Sequence, residues 1–284
     1  MILKHIKKYY LEILFVIPLV LYILGFTLVP IIETILMGFK DRYTGEWTLD
    51  TYIKLISKPD FGQAVFNTIS ITFIEILIQI PIGLMIAMVL KKKFRGRGIL
   101  RSLVLMPMGI PTLVSGVAML YVFGTQGYLN ELLYRTGFID VPISWTSGGL
   151  RSLLVVAVAD CWKVLPIVVL LLLAGLESIS NDYYEAASID GSSKWQTFKY
   201  ITLPLLKPTI TMTVILRAVD AFRIFELPQV LVGKSLPVLS TYAYEEFTYN
   251  NLNASGAAST ILLFIIIIFV ILYLKFVDRG EALK

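Results

Sequence analysis

Ionisable side chains are scarce in the long apolar runs of this sequence, and those that occur fall at helical spacings. Arg217, Asp220, Arg223 and Glu226 alternate in sign at every third position, so on a helix each can pair with the next. Asp160 and Lys163, with Trp162 between them, stand three apart in a second run. That pair can neutralise itself and lower the cost of both charges in hydrocarbon. Glu75 stands in a third run and should face a bundle interior or a wet cavity. Such groups either hold helices together or line a polar path through an apolar medium, and both readings fit the ladder at 217–226. Catalysis fits poorly. The single histidine, His5, is terminal, Cys161 is a lone thiol inside an apolar run, and Glu75 and Asp160 have no convergent motif around them. Gly233-Lys234-Ser235 is not a phosphate loop, because Pro228 occupies the place of its required first glycine. No catalytic residue and no metal site is expected.

A second stretch carries recognition chemistry. Ser180 can cap a short helix with Asp182 and Glu185 near its start, where the helix dipole favours acids. Ala186 and Ala187 keep that helix slim, and Gly191 supplies the left-handed residue that ends it. Ser192 or Ser193 can cap a second helix bearing Trp195 and Phe198, and Pro204 is expected to close the unit before the next apolar run. A slim helix with apolar edges on a loop suits a groove on a partner protein. It also suits a helix lying on a membrane surface.

The elements that position these residues are membrane spans. Of 284 residues 57% are hydrophobic and only 16% charged, and the mean hydropathy is +0.78. Six runs, at about 12–37, 65–90, 99–123, 151–175, 205–226 and 256–277, reach the ~18 apolar-dominated residues of a span. Several carry prolines, and the third is interrupted by Pro107, Gly109, Pro111 and Gly116, the pattern of a broken helix beside a pathway or of a packing kink. The net charge of +5 is not a nucleic-acid signature. Lys and Arg collect before the first span (Lys4, Lys7, Lys8), between Lys91 and Arg101, in 176–207 and after residue 274. That asymmetry places both termini and the 178–204 loop in the cytoplasm. The first apolar run is too long for a cleavable signal and lacks a small-x-small site. Segments 38–64, with Tyr43, Trp47 and Tyr52, and 124–150 read as outer loops. Ala254–Ser259 gives the last span a small-residue face.

Glu185-Ala-Ala, three residues, Gly191, nine residues, then Ile201-Thr-Leu203-Pro204 resembles the signature loop of binding-protein-dependent ABC importer permeases, at that family's spacing. Asp160-Cys-Trp162-Lys163 resembles the family's Asp-x-Trp-Lys element. Arg217-Ala-Val-Asp220-Ala-Phe-Arg223 resembles a segment of its sugar permeases whose neighbourhood faces the translocation path. The likeness runs from Phe15 to Phe276 and fits best the maltose-type carbohydrate permeases. A shorter Val232–Pro237 stretch stands where that family usually has a Gly-Gly-Gly-Pro turn.

The resemblance implies an all-α, polytopic ABC transmembrane type-1 fold with six spans. Residues 1–60 would form the first span and outer segment, and 61–284 the permease domain with its coupling loop at about 178–204. Glu185, Ala186, Ala187, Asp190, Gly191, Trp195, Leu203 and Pro204 would make the coupling site. Glu75, Asp160, Trp162, Lys163, Arg217, Asp220 and Arg223 would line the substrate path. The implied partners are a second related permease, two cytoplasmic ATPase subunits, an external solute-binding protein and the bilayer of the cell membrane, with no nucleic acid. The chain itself would bind no cofactor, ATP and magnesium belonging to the ATPase subunits. The solute would be a sugar or oligosaccharide. A permease for glycerol phosphate, an amino acid or a peptide shares the same loop. A secondary transporter would require inverted repeats, which the sequence does not show.

A reporter active only outside the cell should work when fused in 38–64, 124–150 or 230–252 and be silent in 91–98 or 178–203. Activity at 178–203 would overturn the orientation, because no cytoplasmic partner could then reach that loop.

Overall fold

The computed structural model describes residues 9–42 and 44–278. Lys4, His5, Lys7, Lys8, Tyr43 and the last basic residues, Arg279 and Lys284, lie outside the described residues. The described residues are mainly helical, and one isolated antiparallel bridge joins Lys40 and Trp47. In order the helices are α1 (Tyr10–Gly38), α2 (Asp50–Ile56), α3 (Pro59–Lys91), α4 (Arg97–Leu105, continued by a 3-10 turn Met106–Gly109), α5 (Thr112–Phe123) and α6 (Tyr128–Arg135). There follow α7 (Gly149–Ser178), α8 (Asn181–Ile189), α9 (Lys194–Phe222), α10 (Glu226–Leu231), α11 (Leu239–Thr248) and α12 (Leu252–Tyr273). Among the described residues α1, α3, α7, α9 and α12 are long and apolar enough to cross a membrane, with a sixth crossing if the bent pair around Ile110 counts as one.

Two spans depart from expectation. The third is not one helix: Arg97–Gly109 and Thr112–Arg135 meet at 99°. Pro107 and Pro111 remove amide donors on either side of the break, and Ile110 turns extended at φ −90°, ψ 130°. The fifth starts earlier than the hydropathy suggests. Pro204 does not close the loop; instead α9 runs unbroken from Lys194 to Phe222. A π turn at Phe198–Thr202 makes this possible, with the Leu203 amide donating five residues back to the Phe198 carbonyl. Widening the turn moves the carbonyl that a proline ring would strike, and the missing proline donor then costs little. The same device occurs in α1, where a π turn at Leu24–Leu28 precedes Pro30.

The described residues divide into two compact units. One comprises the chain up to Lys58 with Tyr242–Ile261, the other Pro59–Thr241 with the chain from Leu262. In the first, Gly256 on α12 sits against the Thr34 carbonyl of α1, where an added Cβ would lie 2.7 Å from the oxygen. Asn253 Nδ2 donates to the carbonyls of Met37 (3.0 Å) and Lys40 (2.8 Å). The small-residue face therefore does what it suggests, letting two backbones approach.

In the second unit α3, α7 and α9 form the packed centre. Two apolar clusters fill it, one around Ile71, Val156 and Leu227, the other around Leu84, Val168, Leu172 and Leu206. Gly83 admits Val168, and Gly175 admits Thr209 and Leu206. A Cβ on Gly175 would fall 2.5 Å from Thr209 Oγ1 and 2.8 Å from Leu206 Cδ1. The outer segment 124–150 is more ordered than its glycines suggest. It contains α6, and Asn130 binds the carbonyls of Thr125 (2.9 Å) and Ile143 (2.8 Å) while accepting from Trp145 Nε1 (2.9 Å).

Gly175→Val should destabilise the chain by about 1–3 kcal/mol through overpacking, read as a lower unfolding temperature in detergent. Gly62→Ala, where nothing lies within 4 Å of the new methyl, should be neutral or slightly stabilising.

Candidate functional site

Glu75 and Gln79 lie four residues apart on α3, on one face, opposite Asp160 of α7 and Arg217 of α9. All four are buried, Glu75 and Gln79 completely and Arg217 to 4% exposure. The Arg217 guanidinium joins them. Its Nε donates to Gln79 Oε1 at 2.8 Å, and one Nη donates to Asp160 Oδ2 at 3.1 Å. The same Nη lies 3.7 Å from Glu75 Oε2, an ion-pair distance rather than a hydrogen bond. The other Nη reaches Asp220 Oδ2 at 3.5 Å, and Asp220 pairs outward with Arg223 at 2.9 Å. Asp220 and Arg223 are more than half exposed. A guanidinium suits this hub because its planar fork offers donors in several directions at once.

Two sequence expectations are corrected here. Asp160 pairs with Arg217 across helices, not with Lys163 along its own. The ladder also stops early: α9 ends at Phe222, and Glu226 opens the separate helix α10. Lys163 has another role. Its Nζ donates to the carbonyls of Pro107 (3.1 Å), Met108 (3.4 Å) and Ile110, so one ammonium satisfies the acceptors that the broken third span frees. Trp162, beside it, is 37% exposed. Glu75, Asp160, Arg217, Asp220 and Arg223 thus form one network, while Lys163 belongs to the helix break. Gln79 was present in the sequence without a role; its i,i+4 spacing from Glu75 was the available signal.

The 178–204 loop is a separate construction. Ser180 Oγ accepts from the Asp182 amide at 3.3 Å, capping α8. After Asp190, Gly191 takes φ +73°, and the amides of Gly191 and Ser192 close on the carbonyls of Ser188 and Ala187 at 3.2 and 2.9 Å. That is a Schellman ending, which requires a left-handed residue at its turn. Ser193 and Gln196 then form a reciprocal capping box that starts α9. Ala187 is buried beneath α8, whereas Glu185 and Ala186 are exposed. Large apolar side chains also stand free on this loop: Tyr183 is 54%, Ile189 86% and Trp195 68% exposed. Trp195 packs on Phe198 with ring centroids 5.7 Å apart. Leu203 and Pro204 follow the π turn within α9.

Residues 79–282, which include the helix carrying Arg217 and the whole capped loop, match the family described as binding-protein-dependent transport system inner membrane component. The chain belongs to that family. It is 34% identical over 275 residues to a trehalose/maltose transport system permease protein of Thermococcus litoralis, covering 92% of each chain. It is 31% identical over 283 residues to an arabinooligosaccharides transport system permease protein of Bacillus subtilis, covering 95% of this chain and 90% of the relative. The fold matches a chain of a bacterial ABC transporter involved in alginate import, with a TM-score of 0.86 over 98% of both chains at 22% identity. The protein is an all-α, membrane-embedded ABC permease subunit, and it is not an enzyme.

Removing the hub should expose the cost of its partners. Arg217→Met leaves Glu75 and Asp160 buried without a counter-charge, which should destabilise the permease by about 3–5 kcal/mol. Adding Glu75→Gln and Asp160→Asn should recover much of that loss, because no uncompensated charge remains. Thermal unfolding of the purified protein in detergent measures both. Equal stability of Arg217→Met and wild type would show that the network does not hold the helices.

Proposed function

We propose that the chain is a translocation subunit of an ATP-driven importer for a sugar or oligosaccharide. In this reading an external binding protein delivers the solute, a second permease completes the pathway, and two cytoplasmic ATPase subunits bind ATP and magnesium. The sugar class is supported by the trehalose/maltose and arabinooligosaccharide permeases to which the chain is similar over nine-tenths of its length. A solved relative of the same fold is described in complex with an alginate pentasaccharide-bound periplasmic protein.

The observation that carries the mechanism is the continuity of α9. It begins at the capping box of the loop and reaches Arg217 without a break. At ~1.5 Å per residue the distance is about 35 Å, most of a bilayer. In our reading Glu185, Ala186 and the free apolar side chains of α8 sit in a groove on an ATPase subunit, in the cytoplasm. Closure of the ATPases on ATP would move this loop, and α9 would carry the displacement as a rigid body to the charge network. The helices would then exchange between inward- and outward-open packings. Glu75, Asp160 and Arg217 hold the moving helix in register. The exposed Asp220 and Arg223, together with Trp162, are the members of the proposed path that a passing polar solute could touch.

Two loop variants separate docking from transmission. Ala186→Trp should abolish co-purification with the ATPase subunits, since a groove fitted to alanine cannot admit an indole. Gly191→Val meets no steric obstacle but cannot hold φ +73° without about 1–3 kcal/mol of strain, so it should reduce sugar-stimulated ATP hydrolysis. ATPase stimulation by maltose, trehalose, arabino-oligosaccharides, glycerol phosphate and amino acids, each with the cognate binding protein, identifies the solute class. Full transport by both variants would overturn the coupling role, and stimulation by amino acids alone would overturn the sugar assignment.

A further inference from the structure

A cavity of about 860 Å³ opens between the end of α3, the end of α7, α8 and the start of α9. Its chemistry is divided. Met85, Met88 and Val89 of α3, with Leu176 and Phe198, make one wall apolar; Lys91, Lys92 and Lys194 make the other end cationic. Among the described residues no carboxylate lines it. Glu177, next to the lining residue Leu176 at the end of α7, is already engaged by Arg97 at 2.7 Å.

Lys91 is the unusual member. Its Nζ is shielded from solvent and has no hydrogen-bond acceptor. It lies 4.2 Å above the ring of Tyr184, which fixes the ammonium without filling its donor capacity. Tyr184 in turn meets the buried Thr202 hydroxyl at 3.4 Å, tying α8 to the π turn of α9. Ser188 and Ser192 bring two further hydroxyls to the same cavity. A pre-placed ammonium with free donors, two more lysines and two hydroxyls form an anion-binding cradle.

We propose that this cavity binds the phosphate of an anionic phospholipid, with the first part of an acyl chain along α3. The polar end alone would suit any phosphate or carboxylate. The apolar wall decides for a lipid, because Met85 and Val89 are 55% and 45% exposed and precede the Lys91–Lys93 run directly. One surface thus passes from hydrocarbon-facing to cationic within two helical turns, the profile of a headgroup boundary. An acidic peptide would match the lysines but leave that wall uncovered. Because the cradle includes Tyr184, Ser188 and Ser192, an occupied site braces the loop from within. The proposal rests on the membrane-spanning reading and on the loop lying at the headgroup level.

The test uses the purified transporter, permease and partners together, after delipidation, with native mass spectrometry as the readout. Phosphatidylglycerol and phosphatidylcholine are added separately, and inorganic phosphate is added as competitor. The wild type should retain phosphatidylglycerol well above phosphatidylcholine, and millimolar phosphate should not displace it. Lys91→Gln and the exposed-site variant Lys194→Gln should each weaken retention about fivefold, the effect of one basic residue near an anionic surface. Lys91→Arg should preserve it, and Lys54→Gln, outside the cavity, should change nothing. Equal retention by wild type and both glutamine variants would overturn the site. Displacement by phosphate would make it a free-anion site, and equal retention of phosphatidylcholine would show that the lysines do not select an anionic headgroup; either result would overturn the proposal. Loss of the ATPase subunits from the glutamine variants, with lipid retention unchanged, would assign the lysines to a protein contact and overturn the proposal. Absence of ATPase subunits from the wild-type complex would instead count against the importer reading, whatever lipid is bound.

Discussion

One guanidinium sets the geometry of the membrane bundle. Helices that are apolar on every face gain little from one another in lipid, since hydrocarbon tails offer comparable contacts, and register must come from close packing and polar contacts. Arg217 supplies that register for α3, α7 and α9 by meeting Gln79, Asp160 and Glu75. Sliding one helix by a turn would separate charges in a medium that cannot solvate them. Gly83 and Gly175 then fix how closely those helices approach. The network is graded outward: the buried carboxylates sit at its centre, and the exposed Asp220–Arg223 pair at its edge. Charge therefore leads from the packed interior to an accessible surface along a single helix.

The broken third span raises the same problem in backbone form. Pro107 and Pro111 leave carbonyls without helical partners, and in hydrocarbon each unpaired acceptor is costly. Lys163 answers with three donors on one flexible stem. Had Lys163 paired with Asp160, the adjacent acid and base would have been neutral. Arg217, however, would have lost its best acceptor, and the break would have lost its donor. The cross-helix arrangement satisfies four groups where the local pair satisfies two, which is why i,i+3 spacing misleads at this position.

That contrast marks where the sequence was readable. The caps at Ser180 and Ser193, the left-handed Gly191 and the small-residue face around Gly256 all follow from residues within a few positions of one another, and each stands as expected. The number and approximate place of the spans follow from hydropathy, and membership of the permease family from the loop motif. What could not be read depends on neighbours distant in the chain. The partner of Asp160 lies 57 residues away, and the acceptors of Lys163 lie more than 50 away. Helix α6 was hidden among glycines because Asn130, which organises its surroundings, looks like any loop asparagine. Span five was misjudged at both ends, for Pro204 reads locally as a stop and the π turn that tolerates it has no strong sequence signal.

The same π turn bears directly on the proposed coupling. A proline that ended the loop would place a flexible joint between the exposed α8–α9 corner and the membrane, and displacement of the corner would be lost there. By widening one turn just before Pro204, the chain keeps a single helix from the capping box to Arg217. Both ends of that helix carry defined contacts. At one, the Schellman turn and capping box define the angle between α8 and α9. At the other, Arg217 is held by groups on two further helices. In the proposed coupling, a push on α8 would reach the buried charges through one continuous helix. Moving α9 with its charge partners as one body would keep both the caps and the buried charge contacts intact, which is the motion that proposal requires.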